Sequence, residues 1–343
     1  MKLAIHHRQG SFSDRWISYC EKKNIDYIIV NAFDSDIIAQ LKDCNVFMWH
    51  HHHAQYKDVL TAKRIIFALE HAGMQVFPDF KTGWHFDDKV AQKYLLEAIG
   101  APLIPSYVFY DKAEALEWAK QTDYPKVSKL KGGAGSANVK LIKSFKESKI
   151  LINKAFGRGF SQYDRFGAFK ERLRKVKEGK AGLNEVQKGL GRFFITTEFA
   201  KQQPPEKGYV YFQDFIPDLD SDIRIQVIQN RIFGLKRFVR ENDFRASGSG
   251  DFIEFSPDNI DKKILNCTLS LSKKINSQCL TVDFIYINDE PHIVELSYGF
   301  SINFYDNCTG YWDDELVWHE GKFNPQEWMV DCFLGYDYNR DKK

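Results

Sequence analysis

The first 85 residues alternate short apolar runs with longer segments in which apolar residues recur at helical spacing. Such an alternation of strands and helices is typical of a parallel sheet with crossover helices. Gly73 and Pro78 follow the last predicted helix and the last predicted strand, where chain breakers are expected. The predicted strands are 3–5, 27–30, 46–49 and 75–77, and the predicted helices are 14–22, 36–41 and 55–72. We therefore expect an N-terminal parallel α/β domain over residues 1–85.

From residue 86 onward the order of elements changes. A subdomain over 86–208 opens with a helix that an Asp can cap and that runs to Ile99. Beyond residue 209, strands follow one another with a single helix between them, which favours a mostly antiparallel sheet over 209–343. The predicted strands are 107–110, 126–131, 138–142, 209–214, 223–228, 232–238, 280–287 and 292–296, and the helices are 112–122 and 258–275. The C-terminal aromatic residues are expected to pack against the first domain as core: Trp312, Trp318, Trp328 and Phe333.

A basic insertion interrupts the second part at residues 157–192. It holds ten Lys and Arg and four Asp and Glu, a local charge of +6 in a chain of +2, which leaves −4 for the rest. Its apolar residues follow three-and-four spacing, which predicts amphipathic helices broken near 179–182. The insertion either reaches over a cleft toward an anionic substrate or forms a solvated hairpin used for packing or oligomer contacts. A homodimer is therefore left open.

Composition excludes several classes of protein. Hydrophobic residues make up 43% and charged residues 27%, as in globular proteins. The near-neutral balance does not favour a nucleic-acid or membrane-surface binder, and no apolar stretch approaches the roughly 20 residues of a membrane span. The six cysteines contain no Cys-x-x-Cys pair, and the N-terminus turns polar after three apolar residues. We expect a cytoplasmic protein with reduced thiols and with no nucleic-acid or membrane partner.

Two sets of residues suggest nucleotide and metal chemistry. Lys129 leads into the glycine-rich segment 132–136, where backbone amides could approach phosphate oxygens, although a plain hairpin turn gives the same pattern. Asp283 and Glu295 lie on consecutive apolar strands joined by a turn at 288–291, so a hairpin would bring them to one face. Carboxylate oxygens suit Mg²⁺, and the alternative is two strand-edge charges that face water.

Histidines cluster in the first domain, at His6, His7 and His50 to His53. Both groups follow predicted strands, and ligands of parallel sheets gather beyond the carboxyl ends of the strands. His50 and His52 are therefore candidate substrate residues on the acceptor side of a cleft. Solvent-exposed or capping histidines are an equally good interpretation.

Eight segments follow one another along the chain: Lys89 in Asp-Asp-Lys, Lys129, 214–217, 222–224, 236–237, 244–247, Asp283 and 295–297. Together and in this order they resemble the ATP-grasp superfamily. The nearest likeness is to ribosomal-protein glutamate ligases and glutathione synthetases, with D-alanine:D-alanine ligases further off. The resemblance covers residues 86–305 and implies an α/β (α+β) fold: an N-terminal Rossmann-like, pre-ATP-grasp domain and two α+β subdomains that clamp ATP.

The resemblance also implies a role for each matching residue. Lys89 and Lys129 would hold the α- and β-phosphates, and Arg237 and Arg245 would act catalytically on the γ-phosphate and the acyl phosphate. The implied phosphate lid contains Gly133, Gly135 and Ser136; the adenine and ribose contacts are Gln213, Asp214, Phe215 and Asp222; the metal ligands are Asp283, Glu295 and Ser297; and Ser247 is a tentative substrate residue.

The chain departs from the superfamily pattern at two positions. Ser297 and Ser247 stand where the family has Asn, which suggests a weaker second metal site. The implied activity is an ATP-dependent carboxylate–amine ligase that forms an acyl phosphate and releases ADP and phosphate, with ATP and one or two Mg²⁺ or Mn²⁺ ions. The acceptor would be an amino acid, a peptide or a surface-polysaccharide component. The alternatives are a non-catalytic ATP-binding regulatory protein and an enzyme with a hydroxyl acceptor.

Overall fold

The structure of the chain is a computed structural model that describes residues 1–132, 138–161, 205–239 and 253–335. The predicted site residues Gly133, Gly135, Ser136, Arg245 and Ser247 lie outside these residues, as does most of the basic insertion. The chain forms two units. Unit 1 contains Met1–His52, Lys57–Ile104 and Asp218–Lys343, and unit 2 contains His53–Tyr56 and Pro105–Pro217.

Unit 1 begins with the four-stranded parallel sheet predicted from the sequence, in the order β2-β1-β3-β4. Helix α1 begins after Ser11, whose hydroxyl accepts a hydrogen bond from the Ser13 amide, and ends at Asn24 in the left-handed region. The strands are β1 Lys2–His6, β2 Asp26–Val30, β3 Val46–Met48 and β4 Gln75–Phe77. The helices are α1 Phe12–Lys23, α2 Ile37–Gln40, α3 Tyr56–His71, α4 Phe80–Gly83 and α5 Lys89–Ala98.

Unit 2 is a four-stranded antiparallel sheet in the order β5-β8-β6-β7, with two helices. Ala115 and Ala119 of the first helix and Ile152 of the second are fully buried in one apolar core with Phe212. The elements are β5 Ser106–Phe109, α6 Lys112–Gln121, β6 Lys126–Lys129, β7 Lys140–Ile142, α7 Phe145–Ala155 and β8 Val210–Asp214.

A seven-stranded antiparallel sheet completes unit 1, in the order β13-β12-β9-β10-β14-β15 with β11 beside β10. One face is apolar and packs on helix α8, which buries Ile264, Leu265 and Ile275 against it. The strands are β9 Ser221–Ile228, β10 Arg231–Phe238, β11 Ile253–Glu254, β12 Cys279–Ile287, β13 Glu290–Ser297, β14 Gly310–Trp312 and β15 Trp318–Glu320; helix α8 is Lys262–Ile275, preceded by a 3₁₀ turn at Pro257–Asn259.

The C-terminal helix α9, Pro325–Leu334, packs on α1, so Trp328 and Phe333 join the core of the first domain as predicted. Trp312 and Trp318 instead belong to the apolar core that the seven-stranded sheet forms with α8. Trp328 stacks on Phe323 with ring centroids 4.9 Å apart, and the Tyr19 hydroxyl donates to Asp331 at 2.7 Å. Within the described ranges, no helix has both the length and the apolar character that a membrane span requires.

Candidate functional site

Strand β9 separates an apolar from a polar side of the seven-stranded sheet. Ile223, Ile225 and Val227 face α8, whereas Asp222 and Arg224 fall at the alternate positions together with Gln226. Side chains alternate across a strand, so the polar residues share the opposite face. Polar side chains of the neighbouring strands extend this face: Arg237 on β10, Thr281 and Asp283 on β12, and Glu295 and Ser297 on β13.

Arg224 and Asp283 form a two-pronged ion pair on this face. They lie directly opposite each other on β9 and β12, with Nε to Oδ1 at 2.6 Å and Nη2 to Oδ2 at 2.7 Å. Burial alone would raise the pKa of Asp283, but Arg224 and Arg237 hold that pKa well below its usual range. Asp283 is therefore a carboxylate, as a metal ligand must be, and in this arrangement arginines surround it.

Arg237 is shared between two carboxylates. It lies opposite Asp222, its Nε donates to Asp222 Oδ1 at 2.9 Å, and its Nη2 contacts Asp222 Oδ2 and lies 3.1 Å from Asp283 Oδ2. The Asp222 side chain is fully buried, and burial raises its pKa to about 6 against the attraction of Arg237. Here Asp222 orients Arg237, and neither carboxylate oxygen reaches the surface for the ribose contact that the resemblance implies.

Lys89 and Glu295 form a second, more accessible ion pair. Lys89 opens helix α5, where the Asp88 side chain caps the amides of Val90 and Ala91. Its Nζ lies 3.0 Å from Glu295 Oε1, with 8% of the lysine side chain and 28% of the glutamate side chain exposed. The phosphate lysine and the metal carboxylate predicted from the sequence are therefore neighbours within unit 1.

The predicted metal ligands differ in how their oxygens are used. Asp283 and Glu295 are directly paired between β12 and β13, as the predicted hairpin requires. The Ser297 hydroxyl instead donates to Gly299 O and accepts from Gly299 N, both at 3.0 Å. No group of three His, Cys, Asp or Glu side chains has metal-binding geometry in the described part of the chain. The oxygen donors of the two carboxylates fit Mg²⁺ in type.

Unit 2 carries a line of buried polar contacts that ends at Lys129. Lys129 Nζ donates to Gln213 Oε1 at 2.7 Å, and Gln213 Nε2 donates to Ser106 Oγ at 3.1 Å. Tyr211 donates its hydroxyl to the same Ser106 Oγ at 2.9 Å. Register places these residues on one sheet face, because Lys129 pairs with Tyr211 and Ser106 with Gln213. The lysine predicted to bind phosphate is thus held by three strands.

The predicted adenine segment lies at the end of β8. Asp214 binds Lys126 at 2.6 Å through its carboxylate, and its amide donates to Pro105 O at 2.9 Å. Phe215 follows and is half-buried, and the chain passes from unit 2 to unit 1 after Pro217. Because the Asp214 carboxylate is already paired, backbone groups are what this segment offers to a base.

The segment leading to the glycine-rich loop is held by two residues beyond the insertion. The Lys131 amide donates to Tyr209 Oη at 2.7 Å and lies 3.3 Å from Glu206 Oε2, and Tyr209 also donates to Glu206. Glu206 pairs with Phe160 through two backbone hydrogen bonds of 2.8 and 2.9 Å. The bridge therefore places Phe160, near the start of the insertion, beside Glu206 and the Lys131 amide that Glu206 contacts.

The histidines that follow β3 pack against the residues around the first sheet. His50 is buried, its Nδ1 accepts from the Phe12 amide at 3.2 Å, and its ring stacks on Phe12 with centroids 3.6 Å apart. The His52 amide donates to Asp58, which also binds Arg8 at 3.1 Å. These contacts place both histidines at the carboxyl end of the parallel strands, and their role toward a substrate stays a prediction.

Sequence reasoning missed four of the contacts just described, those of Arg224, Ser106, Tyr211 and Glu206. The signal for Arg224 was present, since a charged residue alternates with Asp222 in an otherwise apolar strand. The others depend on strand pairing between β5, β6 and β8 or on a backbone bridge, and no local pattern reports either.

Comparison with known proteins identifies the fold of the chain. No protein-family model and no curated protein matches the chain. Among solved structures it is similar to D-cycloserine synthetase (12% identity, TM-score 0.58, covering 97% of this chain and 98% of that one). It is also similar to a RimK domain ATP-grasp protein from Sphaerobacter thermophilus (13% identity, TM-score 0.57, covering 98% and 100%). A third is D-alanine–D-alanine ligase from Bacillus anthracis complexed with ATP (12% identity, TM-score 0.51, covering 89% and 91%). With its parallel N-terminal sheet and its antiparallel sheets aligned over most of these structures, the chain has the ATP-grasp fold.

Proposed function

We propose that the chain is an ATP-dependent carboxylate–amine ligase. A carboxylate oxygen attacks the γ-phosphorus of ATP, the bond to the ADP oxygen breaks, and an acyl phosphate forms. The amine then attacks the acyl carbon, and phosphate leaves with one of the original carboxylate oxygens. The proposed substrates are amino acids, peptides or glycan components, as we propose for an enzyme related to ribosomal-protein glutamate ligases and glutathione synthetases.

The paired carboxylates of Asp283 and Glu295 carry this proposal. Among the described residues, three cations contact them: Lys89 and Arg237, which are buried, and Arg224, which is partly buried. A pair of carboxylates that merely faced water at a strand edge would not need cations from three other elements. A site that must hold a polyphosphate together with a divalent cation needs both charges close together.

The protein's own cations would act on the charge that develops during phosphoryl transfer. Arg237 keeps its charge at any physiological pH, and Asp222 fixes its orientation, so it can stabilise the phosphoryl oxygens or the oxyanion without rearranging. Lys129, held by Gln213, offers a positioned ammonium to a phosphate. Arg245 would add a second guanidinium, as the resemblance implies.

Asp283 and Glu295 would hold the Mg²⁺ or Mn²⁺ ions, one or two in number, with Ser297 as an additional oxygen. A bound Mg²⁺ supplies positive charge that neutralises phosphate oxygens. Glu295 is the accessible donor of the pair, whereas Asp283 must release an arginine before it can bind a metal.

An isotope experiment tests the ligase directly. The chain is incubated with ATP, Mg²⁺, a panel of ¹⁸O-labelled carboxylates and a panel of amines, and ADP, phosphate and products are followed by mass spectrometry. A ligase releases ADP only when both partners are present, transfers one ¹⁸O to phosphate and gives a product lighter than its two substrates by one water. ADP release with unlabelled phosphate would contradict the acyl phosphate and indicate simple ATP hydrolysis.

A nucleotide-binding protein without ligation is the second candidate. The Ser297 hydroxyl favours it, because its proton and one of its two acceptor lone pairs are used by Gly299, which leaves a single lone pair for a metal. In the same experiment this candidate yields no product with any pair of substrates, and a separate ATP titration shows that it still binds the nucleotide. A hydroxyl acceptor would be recognised by an ester or a phosphorylated product.

A further inference from the structure

Gln92 joins helix α5 to strand β13 through its side-chain amide. Its Nε2 donates to Leu296 O at 2.8 Å, and its Oε1 accepts from Leu296 N at 3.0 Å. The same Nε2 also donates to His85 O at 3.1 Å. The side chain is buried, so these three hydrogen bonds form away from water and fix the position of the amide.

The amide of Gln92 takes the place of a neighbouring strand. Strand β13 is the edge of the seven-stranded sheet, and the peptide groups of Leu296 point away from its partner β12. An amide side chain has one acceptor and one donor in the same geometry as a peptide group, so it can complete the ladder at a single residue. Without it, a buried backbone N–H and C=O would each lose a partner.

The position of this contact links it to the candidate site. Leu296 lies between Glu295 and Ser297 on β13, and Gln92 lies one turn after Lys89 on the same side of α5. The helix and the strand are therefore joined twice, by the Lys89–Glu295 ion pair and by the Gln92–Leu296 hydrogen bonds. The ion pair must open when its partners bind other charges, but the amide contact need not.

We infer that Gln92 is a positioning residue that holds Glu295 and Lys89 at a fixed separation, so that both can engage a metal–nucleotide ligand without rearrangement of α5 against β13. The inference rests on the proposed nucleotide function. Charged groups act on a ligand only when their supports keep them in place, and a misplacement of about 1 Å can cost about a hundredfold in reaction rate.

The test compares two buried glutamines of unit 1. Gln92→Met removes the hydrogen bonds at nearly constant volume, and Gln326→Met is the matched control, since Gln326 is buried and bonded to Arg15 but lies in α9. Calorimetry measures the Kd of ADP with and without Mg²⁺ for each variant. We expect a rise of tenfold or more in the Kd of Mg²⁺·ADP for Gln92→Met and a change within twofold for Gln326→Met.

A second variant and a second readout guard against a purely structural effect. Gln92→Glu keeps the length and the acceptor for Leu296 N but turns a buried carboxylate oxygen toward Leu296 O and His85 O, so we expect a rise in Kd at least as large as that of Gln92→Met. Hydrogen exchange at the Leu296 amide, which needs no ligand, should accelerate at least tenfold in Gln92→Met.

Unchanged Leu296 exchange, or Kd values for Mg²⁺·ADP within twofold of wild type in either Gln92 variant, would overturn the inference. A wild-type chain that binds no nucleotide would instead refute the proposed function, and the inference with it.

Discussion

Asp283 and Glu295 lie directly opposite each other on β12 and β13, yet cations from different elements neutralise the two carboxylates. Asp283 faces inward to the arginines of β9 and β10, with 3% of its side chain exposed. Glu295 faces the lysine at the start of α5 and keeps 28% of its side chain exposed. Asp283 is therefore the more tightly held carboxylate of the pair, and Glu295 is the more accessible one.

This difference predicts that one conservative substitution mainly lowers stability and that the other mainly weakens nucleotide binding. Asp283→Asn leaves two guanidinium groups short of a buried partner and should lower the free energy of unfolding by about 3–5 kcal/mol. Glu295→Gln breaks a more exposed pair and should cost about 1 kcal/mol or less, while it removes the Mg²⁺-dependent part of nucleotide binding. Urea unfolding and ADP titrations measure both, and equal losses of stability in the two variants would contradict the assignment.

The polar line of unit 2 can be tested at Ser106. Ser106→Ala removes the acceptor shared by Gln213 and Tyr211, so we expect a loss of about 1–2 kcal/mol and a several-fold weaker affinity for nucleotide. Ser148→Ala is the matched control, because Ser148 is a buried hydroxyl of the same unit that accepts from Tyr124. It should lose similar stability and keep nucleotide affinity. Equal Kd values for the two variants would show that the line does not support Lys129.

Alanine substitutions at two glycines of unit 2 distinguish the cost of a steric clash from the cost of backbone strain. Both have positive φ, but a Cβ on Gly159 would lie 2.6 Å from Glu206 O, whereas a Cβ on Gly208 would meet nothing within 4 Å. Gly208→Ala should cost about 1 kcal/mol from strain alone, and Gly159→Ala about 2–3 kcal/mol. Hydrogen exchange at the Phe160 and Lys131 amides should accelerate only in Gly159→Ala. Comparable exchange in both variants would argue against the Phe160–Glu206 bridge as the support of Lys131.

His85 should make the fold sensitive to acid. Burial, together with the nearby Lys63 charge, lowers its pKa to about 4, so the unfolded chain binds this proton more readily than the folded one. The contribution of His85 to the free energy of unfolding is therefore fully present above about pH 6.5 and is lost as the pH falls toward 4. The loss is on the order of 3 kcal/mol, at 1.4 kcal/mol per pKa unit. His85→Leu should flatten the pH dependence of urea unfolding in this window. His6, whose pKa burial also lowers to about 4, should leave the remaining slope; an unchanged slope would contradict the prediction.

The sequence predicted most strands and helices because their apolar spacing is regular. Strands β9, β10, β12 and β13 agree with the expected ranges to within one or two residues. Helix α7 was missed, although Ser144 caps the Glu147 amide, the Ser-x-x-Glu spacing that marks a helix start. Strands β14 and β15 have three residues each, too few to show any period.

The candidate site contains contacts that local sequence patterns cannot predict. They indicated which residue types stand on which strands, but not which charges meet across the sheet. Asp222 and Arg237 are 15 positions apart and become partners only through the register of β9 and β10. The Gln92–Leu296 contact spans 204 positions and depends on which strand forms the sheet edge. Pairings of this kind are properties of the folded topology.

The backbone bridge between Phe160 and Glu206 has a consequence for how the chain can vary. The chain between these residues starts and ends at one pair of adjacent, antiparallel positions. An Asn-Gly turn that joined Phe160 to Glu206 would span that gap as in a two-residue hairpin. A chain shortened in this way should therefore keep the strand order β5-β8-β6-β7, because the bridge itself holds the two ends together.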